Sequence, residues 1–311
     1  MTATLNNGTP PDPDLRRDTP AGKVVLAYLR GQGAALEALD PLVRRDEPDS
    51  VHQMRIAARR VRSTIRTFGQ VLHPSGAERL AGELKWLAAV LGRARDGEVL
   101  TGHLRASLDG TAQEQVIGPV VARVQGHYSS ARAAAQAELL TALDSERYAA
   151  LRGDLHQLMT QPPLGPQAEM AAEDVLPKAV RHAYRRLRKR MGRADLTPDG
   201  KRKDAALHHA RKAARRTRYA GEVAAPVLGK GARRFTKQMK AVQSVLGDHH
   251  DTVIARDAAR ELGIRAHLEG ENAFTYGLLH ERGTHRRDEL AASAHRTWHK
   301  ASRRRYRHWL S

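Results

Sequence analysis

Histidine and arginine recur at helical spacing in the stretch VHQMRIAARRVRSTIRTF, residues 51–68. At 100° per residue, positions i, i+3, i+7, i+10 and i+14 form one narrow stripe along a helix. In this stretch those positions are occupied by His52, Arg55, Arg59, Arg62 and Arg66. A planar guanidinium donates paired hydrogen bonds to phosphate oxygens, and a protonated imidazole adds a further donor. The stripe therefore predicts a surface that binds an extended anion.

The same pattern returns 156 residues later in LHHARKAARRTRYA, residues 207–220. Here the stripe consists of His208, Arg211, Arg215 and Arg218. Downstream, VLGRARD (90–96) aligns with VLGDHHD (245–251) at nearly the same offset. Two matched blocks in the same order indicate the duplication of a helical module. The side opposite the second stripe carries only small residues, which predict a close helix–helix approach: Ala210, Ala214, Thr217 and Gly221.

Two further stretches carry cationic stripes. The first consists of Lys178, Arg181, Arg185 and Arg188, and the second of Arg233, Lys237 and Lys240. A solvated helix face is the alternative interpretation, but such faces normally mix acids with bases. Residues 178–240 contain 21 lysines and arginines against four acids. Like charges one turn apart on a helix repel by about a few tenths of a kcal/mol per pair. A bound polyanion would therefore stabilise this arrangement.

The side chains in these stripes recognise charge and not base edges. Phe, Trp and Tyr make up only 4% of the chain, whereas proteins that bind single-stranded nucleic acid usually offer aromatic platforms for stacking. A linear chain with one charge per phosphate and no bases fits best, and inorganic polyphosphate answers that description. Binding should weaken with salt and strengthen as the pH falls through about 6.5. RNA-backbone binding and a polyphosphate-processing phosphohydrolase remain the alternatives.

Catalysis and metal binding find less support in the sequence. Polyphosphate chemistry would normally need acidic residues that hold Mg²⁺, and no such motif accompanies the stripes. The segment GDHHD (247–251) offers possible metal ligands, but its counterpart GRARD keeps only Asp96 of that set. A helix N-cap or an Asp–Arg pair is the preferred interpretation of Asp96 and Asp251. We therefore predict no enzyme, no catalytic residues, no metal and no cofactor.

Helices must position these stripes, because the periodicity is helical nearly throughout the chain. The predicted helices before a Pro/Gly-rich break at 160–167 are 21–46, 51–72, 76–92, 96–108, 112–140 and 144–159. Those after it are 171–192, 203–225, 230–247, 249–262, 271–281 and 285–308. The formal charge of +19, the absence of cysteine and the lack of an apolar run of membrane-spanning length predict a soluble cytoplasmic protein with a polyanionic partner.

The motif H-x-x-R-x-x-x-R-R-x-R, present twice and followed by L-G-x-x-x-D, resembles the CHAD family of α-helical, histidine-containing domains. The resemblance covers about residues 20–300. It implies an all-α fold of two four-helix-bundle repeats related by pseudo-twofold symmetry, with a basic central channel that binds polyphosphate. The implied binding residues of the first copy are His52, Arg55, Arg59, Arg60 and Arg62. Those of the second copy are His208, Arg211, Lys212, Arg215, Arg216, Arg218 and Tyr219.

Other helices are implied to line the same channel through Lys178, Arg181, Arg185, Arg188, Lys237 and Lys240. In the first copy, the corresponding leading helix offers only Lys23 and Arg30. The expected organisation is a disordered leader at 1–20, one repeat at 21–160 and a second at 171–308, together forming a single CHAD domain. Polyphosphate granules are the expected site of such a protein in the cell.

Overall fold

Helices make up nearly all of the computed structural model, which describes residues 14–310. The α-helices are α1 (Ala21–Arg44), α2 (Ser50–Thr67), α3 (Pro74–Asp109), α4 (Val120–Leu143), α5 (Glu146–Thr160), α6 (Ala172–Asp195), α7 (Lys201–Leu268), α8 (Phe274–Ala301) and α9 (Arg304–Arg307). Short 3-10 turns lie at Gln113–Gln115 and His308–Leu310. Residues 14–310 contain no strand and only two isolated β-bridges, so the predicted all-α class is confirmed.

Three helices are longer than the sequence predicts. The predicted segments 76–92 and 96–108 form the single helix α3, and the three segments between 203 and 262 merge into α7. The predicted break between 281 and 285 lies inside α8. Gly92 and Gly247, the last residues of two predicted helices, lie within continuous helix. Glycine inside a helix costs only about 1 kcal/mol relative to alanine, which packing readily offsets.

The long helix α7 changes direction once, at Gly229. Its φ of 70° and ψ of −146° are not helical, and glycine adopts a positive φ without the steric strain other residues incur. We call residues 201–228 the first arm of α7 and residues 230–268 its second arm. The arms run antiparallel, since Arg218 on the first contacts Gln243 on the second.

The arms of α7 approach closely where the sequence places small residues. Ala210, Ala214, Thr217 and Gly221 are all buried. A Cβ atom on Gly221 would overlap Oγ1 of Thr236 on the opposite arm. The predicted close approach of two helices is therefore confirmed.

Replacing Gly221 with alanine should destabilise the protein by about 1–3 kcal/mol, because the added methyl group must push the two arms apart. A chemical denaturation curve measures this change. Gly192, whose Cβ position is open, supplies the matched control Gly192→Ala, which should not destabilise the fold. Equal stability of the two variants would contradict the close packing of the arms.

One apolar core joins the two halves of the chain. Its fully buried side chains come from helices on both sides of the 160–167 break, among them Leu29, Met54, Leu84, Leu187 and Val223. A second, smaller cluster joins the far ends of α3 and α7 to the starts of α4 and α8, through Leu104, Val124, Leu262 and Leu279. The core thus holds α2 and α7 in fixed positions beside each other.

The break between the halves is a packed connection. Gly165 N donates to Val71 O at 2.8 Å, and Gly22 N donates to Ala168 O at 2.8 Å. A Cβ atom on Gly165 would lie only 2.8 Å from Gln70 O, so the connection lies flat against the turn that follows α2. Of the predicted disordered leader, residues 1–13 lie outside the described residues. Residues 14–20 contact α6, since Glu173 N donates to Arg17 O at 3.1 Å and Ala172 N donates to Thr19 O at 2.9 Å.

Between residues 14 and 310, no helix combines the length and the apolar character that crossing a membrane requires.

Candidate polyanion-binding cleft

The two duplicated stripes meet where α2 packs against α7. The pKa of Arg59 is lowered to about 9, mainly by burial and next by the charge of Arg215. Burial also lowers the pKa of Arg215, and the charges of Arg211 and Arg55 lower it further. Both guanidiniums nevertheless stay protonated at neutral pH. The fold therefore holds like charges together and partly out of water.

We call this group the arginine cleft and define it by the five residues whose charges act on one another: Arg55, Arg59, Arg62, Arg211 and Arg215. Three come from α2 and two from the first arm of α7. Their side chains are half-buried, so each guanidinium remains within reach of a ligand. A linear anion that contacts both helices would relieve the repulsion among them.

Each half supports its arginines in the same way. The Arg55 guanidinium lies against Gly92 of α3, with Nη2 3.2 Å from where a Cβ would stand. Arg211 lies against Gly247 on the second arm of α7, with Nε 3.7 Å from the equivalent point. Gly92 and Gly247 are the glycines of the two matched VLG motifs. The repeated motif therefore provides room for a repeated arginine.

In the segment GDHHD, Asp251 contacts Arg211 and does not begin a helix. Oδ1 of Asp251 lies 3.8 Å from Nη2 of Arg211, which is a long ion pair. Because α3 and α7 run through Asp96 and Asp251, the predicted N-cap role is wrong for both residues. In the part of the chain that the structure describes, no group of three or more His, Asp or Glu side chains is placed to hold a metal ion.

Histidines lie at the end of the cleft. Nδ1 of His208 is 3.2 Å from Nδ1 of His250, and the two ring centroids are 4.2 Å apart. Burial, followed by the charge of the other histidine, lowers the pKa of His208 to about 4. Burial and the charge of Arg211 lower the pKa of His250 to about 4, and burial also lowers the pKa of His52. His208 and His250 are therefore neutral at pH 6.5, contrary to the expectation from an ordinary imidazole.

Three predicted site residues belong instead to a buried cluster behind the cleft, centred on Glu222. Nε of Arg60 lies 3.2 Å from the Glu222 carboxylate, and Arg218 donates to it at 2.7 Å. Tyr28 also donates to it at 3.0 Å. The guanidinium carbons of Arg60 and Arg218 lie 5.6 and 5.3 Å from the centroid of the Tyr219 ring.

The electrostatics of this cluster are those of a buried ion pair. Burial acts to lower the pKa of Arg60, but the charge of Glu222 outweighs it and the pKa is raised. The Arg60 side chain is only 7% exposed, and Tyr219 is 3% exposed. The structure therefore places Arg60, Arg218 and Tyr219 in the packing between α1, α2 and α7.

The cleft continues past Arg62 into a second group of cations. Burial lowers the pKa of Arg216, as do the charges of Arg186, Arg66 and Arg62. The predicted site includes Arg62 and Arg216 but omits Arg66, Arg186 and His250. Arg66 is the last member of the first stripe, so the helical spacing already identified it. Arg186 lies on the edge of α6 away from the predicted stripe, and only the packing of α6 reveals it.

The remaining predicted residues are exposed, except for half-buried Arg181, and they differ in their surroundings. Lys212 is near His208 and His250, whose pKa values its charge helps to lower. Lys237 and Lys240 are exposed on the second arm of α7, and Lys178 is exposed on α6. Arg181, Arg185 and Arg188 line a separate cavity with Arg304 and Arg307 of α9. The four predicted stripes thus do not all face one another.

A profile of the CHAD domain matches residues 27–260, three quarters of the chain. The chain belongs to the CHAD family. In Mycobacterium tuberculosis, the uncharacterized protein Rv2226 (strain H37Rv) is 36% identical to this CHAD chain over 248 residues, and so is MT2285 of strain CDC 1551. The match covers 78% of this chain and 46% of either relative, so the chain spans about half the length of the curated relatives it matches.

Solved structures share this CHAD fold. The CHAD domain of the plant Ricinus communis is 27% identical and superimposes with a TM-score of 0.68, covering 90% of this chain and 93% of its own. PptA from Streptomyces chartreusis is 24% identical, with a TM-score of 0.74 over 90% of this chain and all of its own. The predicted membership of the CHAD family is confirmed.

Proposed function

We propose that this CHAD protein binds inorganic polyphosphate in the arginine cleft and does not process it. One observation carries the proposal, namely that Arg59 and Arg215 approach from two helices with depressed pKa values among further arginines. Bidentate guanidinium–phosphate contacts would compensate these charges. The chemistry of the cleft thus favours a ligand that presents one negative charge at each step along its length.

We further propose that the cleft is the centre of two related four-helix repeats. Two matched contacts support this: Arg55 lies against Gly92, and Arg211 lies against Gly247. These pairs come from equivalent positions of the duplicated sequence. A pseudo-twofold axis between α2 and the first arm of α7 would present a polyphosphate chain with a similar row of donors on each side.

A phosphate chain fits the cleft better than RNA does. Tyr219 is the aromatic residue of the predicted site, and it is buried between Arg60 and Arg218. Its ring is therefore not presented as a platform on which a base could stack. The arginine side chains of the cleft would bind phosphate oxygens equally well whatever the base sequence of the RNA.

The proposal of binding without turnover rests on the pairing of two carboxylates, since Asp251 lies 3.8 Å from Nη2 of Arg211 in the cleft and Glu222 lies behind the cleft. Glu222 is engaged by Arg60, Arg218 and Tyr28, so its oxygens are committed to these donors. Hydrolysis or synthesis assisted by Mg²⁺ requires carboxylates that are open to the metal. If polyphosphate shortens during incubation with the protein and Mg²⁺, this part of the proposal is wrong.

Titration with polyphosphates of graded length, with RNA as a competitor, tests the ligand. Affinity should rise with chain length and fall steeply with salt, because each neutralised phosphate releases counterions. Excess RNA at equal phosphate concentration should leave labelled polyphosphate bound. Displacement by RNA would favour the nucleic-acid alternative. Binding to polyphosphate granules in cells would follow from the same interaction.

Lowering the pH from 7 to 5 should strengthen the binding of long-chain polyphosphate. The bound polyanion would raise the pKa values of His208 and His250 from about 4, so binding takes up protons. Affinity then rises as the pH falls below the pKa in the complex and levels off below about pH 4. Titrations at constant ionic strength measure the effect, and long chains keep the contribution of titrating chain ends small.

Two variants test the origin of this pH dependence. His208→Gln combined with His250→Gln should flatten it, while the exposed control His285→Gln should retain it. An affinity of the unaltered protein that stays constant from pH 7 to pH 5 would contradict proton uptake by the histidine pair.

A further inference from the structure

A second cationic cavity lies between α6 and the C-terminal turn, and the proposed function of the arginine cleft does not include it. The cavity has a volume of about 310 Å³ and opens to solvent. Its lining residues are Arg181, Tyr184, Arg185, Arg188, Arg304, Arg307, His308 and Leu310. Five of these eight residues are arginines and none is acidic. This charge pattern is that of an anion site.

The floor of the cavity is apolar and rigid. Tyr184 is only 4% exposed, and its ring packs 5.9 Å from Phe235 and 5.7 Å from Trp298, measured between centroids. Leu310 closes another side and is 4% exposed. Because the Tyr184 ring is covered, a nucleotide base would find no free aromatic face here. The charges above this floor are therefore the groups that can bind a ligand.

The C-terminal turn is fixed in position, so its arginines are held against α6. The Trp309 ring packs edge-on against Phe235 at a centroid distance of 5.5 Å and lies against Gly231. Nε of Arg307 donates to Ser302 O at 3.2 Å. Both ends of α9 are thus tied down. A preorganised cluster of this kind binds an anion with a smaller loss of conformational entropy than flexible chain ends would.

The cavity and the arginine cleft lie on different sides of α6. Arg181, Arg185 and Arg188 share one edge of the helix, because they are spaced i, i+4 and i+7. Arg186 points about 100° away from Arg185, and its charge acts on Arg216, whose pKa the charge of Arg62 in the cleft also lowers. The sequence pattern groups Arg181, Arg185 and Arg188 with the central channel. In the structure, these three residues lie on the side of α6 that faces the cavity.

We propose that this cavity is a separate binding site for a compact, multiply charged phosphate such as tripolyphosphate. The volume lies at the lower end of the range typical of small-molecule sites, which suits a short anion better than a long chain. Guanidiniums from α6 and from α9 face each other across it and can bind oxygens at opposite ends of such a ligand. The site would act independently of polyphosphate bound in the cleft.

Calorimetric titration of the full chain with tripolyphosphate tests the site. Arg185→Met combined with Arg188→Met should weaken binding at least about tenfold, because charged hydrogen bonds to phosphate are lost. Arg304→Met combined with Arg307→Met on the exposed turn should do the same, which guards against misfolding of α6 variants. The matched control is Arg190→Met combined with Arg193→Met, two exposed residues on other faces of α6, and it should bind as the unaltered protein does.

A further variant separates this site from the proposed function. With Arg59 and Arg215 replaced by methionine, tripolyphosphate binding at the cavity should persist even though the cleft is altered. Loss of tripolyphosphate binding in this variant, or equal loss in the α6 control, would overturn the separate site. So would unchanged binding in both cavity variants. ATP should bind no tighter than tripolyphosphate, and tighter ATP binding would overturn the assignment to a compact phosphate.

Discussion

Replacing Arg59 and Arg215 with methionine is expected to weaken binding of long-chain polyphosphate about a hundredfold or more and to raise thermal stability at the same time. The loss of affinity follows from removing two charged donors, each worth about 1.5–3 kcal/mol. The gain in stability follows because both guanidiniums are half-buried among like charges, and burial together with these charges lowers their pKa values. Methionine keeps the apolar part of each side chain and removes the charge.

The opposite signs of the two effects make this variant informative. Fluorescence titration with labelled polyphosphate gives the affinity, and thermal unfolding without ligand gives the stability. The control replaces Arg202 and Arg260, both exposed on α7, with methionine and so removes the same net charge. It should lower affinity only slightly. If the control matches the cleft variant, net charge and not the cleft explains binding.

Glu222→Gln is expected to destabilise the fold by about 3–5 kcal/mol, the usual cost of removing one partner of a buried ion pair. Its carboxylate pairs with Arg60 and with Arg218, and the Arg60 side chain is only 7% exposed. Glutamine preserves the size and an acceptor for Tyr28 but leaves the Arg60 charge uncompensated. Urea denaturation measures the change.

Two further variants decide whether the lost charge pairing is the cause. Adding Arg60→Met to Glu222→Gln should restore much of the stability, because the uncompensated charge is then gone. Glu289→Gln removes a carboxylate from the exposed pair with Arg286 and should cost less than about 1 kcal/mol. A Glu222→Gln variant as stable as Glu289→Gln would show that the cluster contributes little to folding.

The helices and their duplication could be predicted from the sequence, because periodicity and paired motifs are local signals. The lengths of α3 and α7 could not. The predicted helices end at Gly92 and Gly247, yet both glycines lie in continuous helix, whereas Gly229 marks the true change of direction. Whether a glycine interrupts a helix depends on the helices that pack against it, and a single sequence does not contain that information.

The role of each arginine was predictable only in part. Arg60 and Arg216 occupy equivalent positions of the duplicated motif, but Arg60 pairs with Glu222 while Arg216 lies among Arg62, Arg66 and Arg186. The difference comes from one position, where the second copy has Glu222 and the first has Arg66. The spacing of Arg218 and Glu222 at i, i+4 indicates their own pair, but the contact to Arg60 depends on how α2 and α7 pack.

The packed connection at 160–167 has a consequence for the concentration dependence of binding. Arg59 precedes it and Arg215 follows it, so the cleft is assembled within one chain. Two separate halves would have to find each other in dilute solution before a ligand could bind, whereas the covalent connection keeps their effective concentration high. After cleavage between residues 160 and 167, the apparent Kd for polyphosphate should therefore rise as the protein is diluted and the halves dissociate. The apparent Kd of the intact chain should not change with protein concentration.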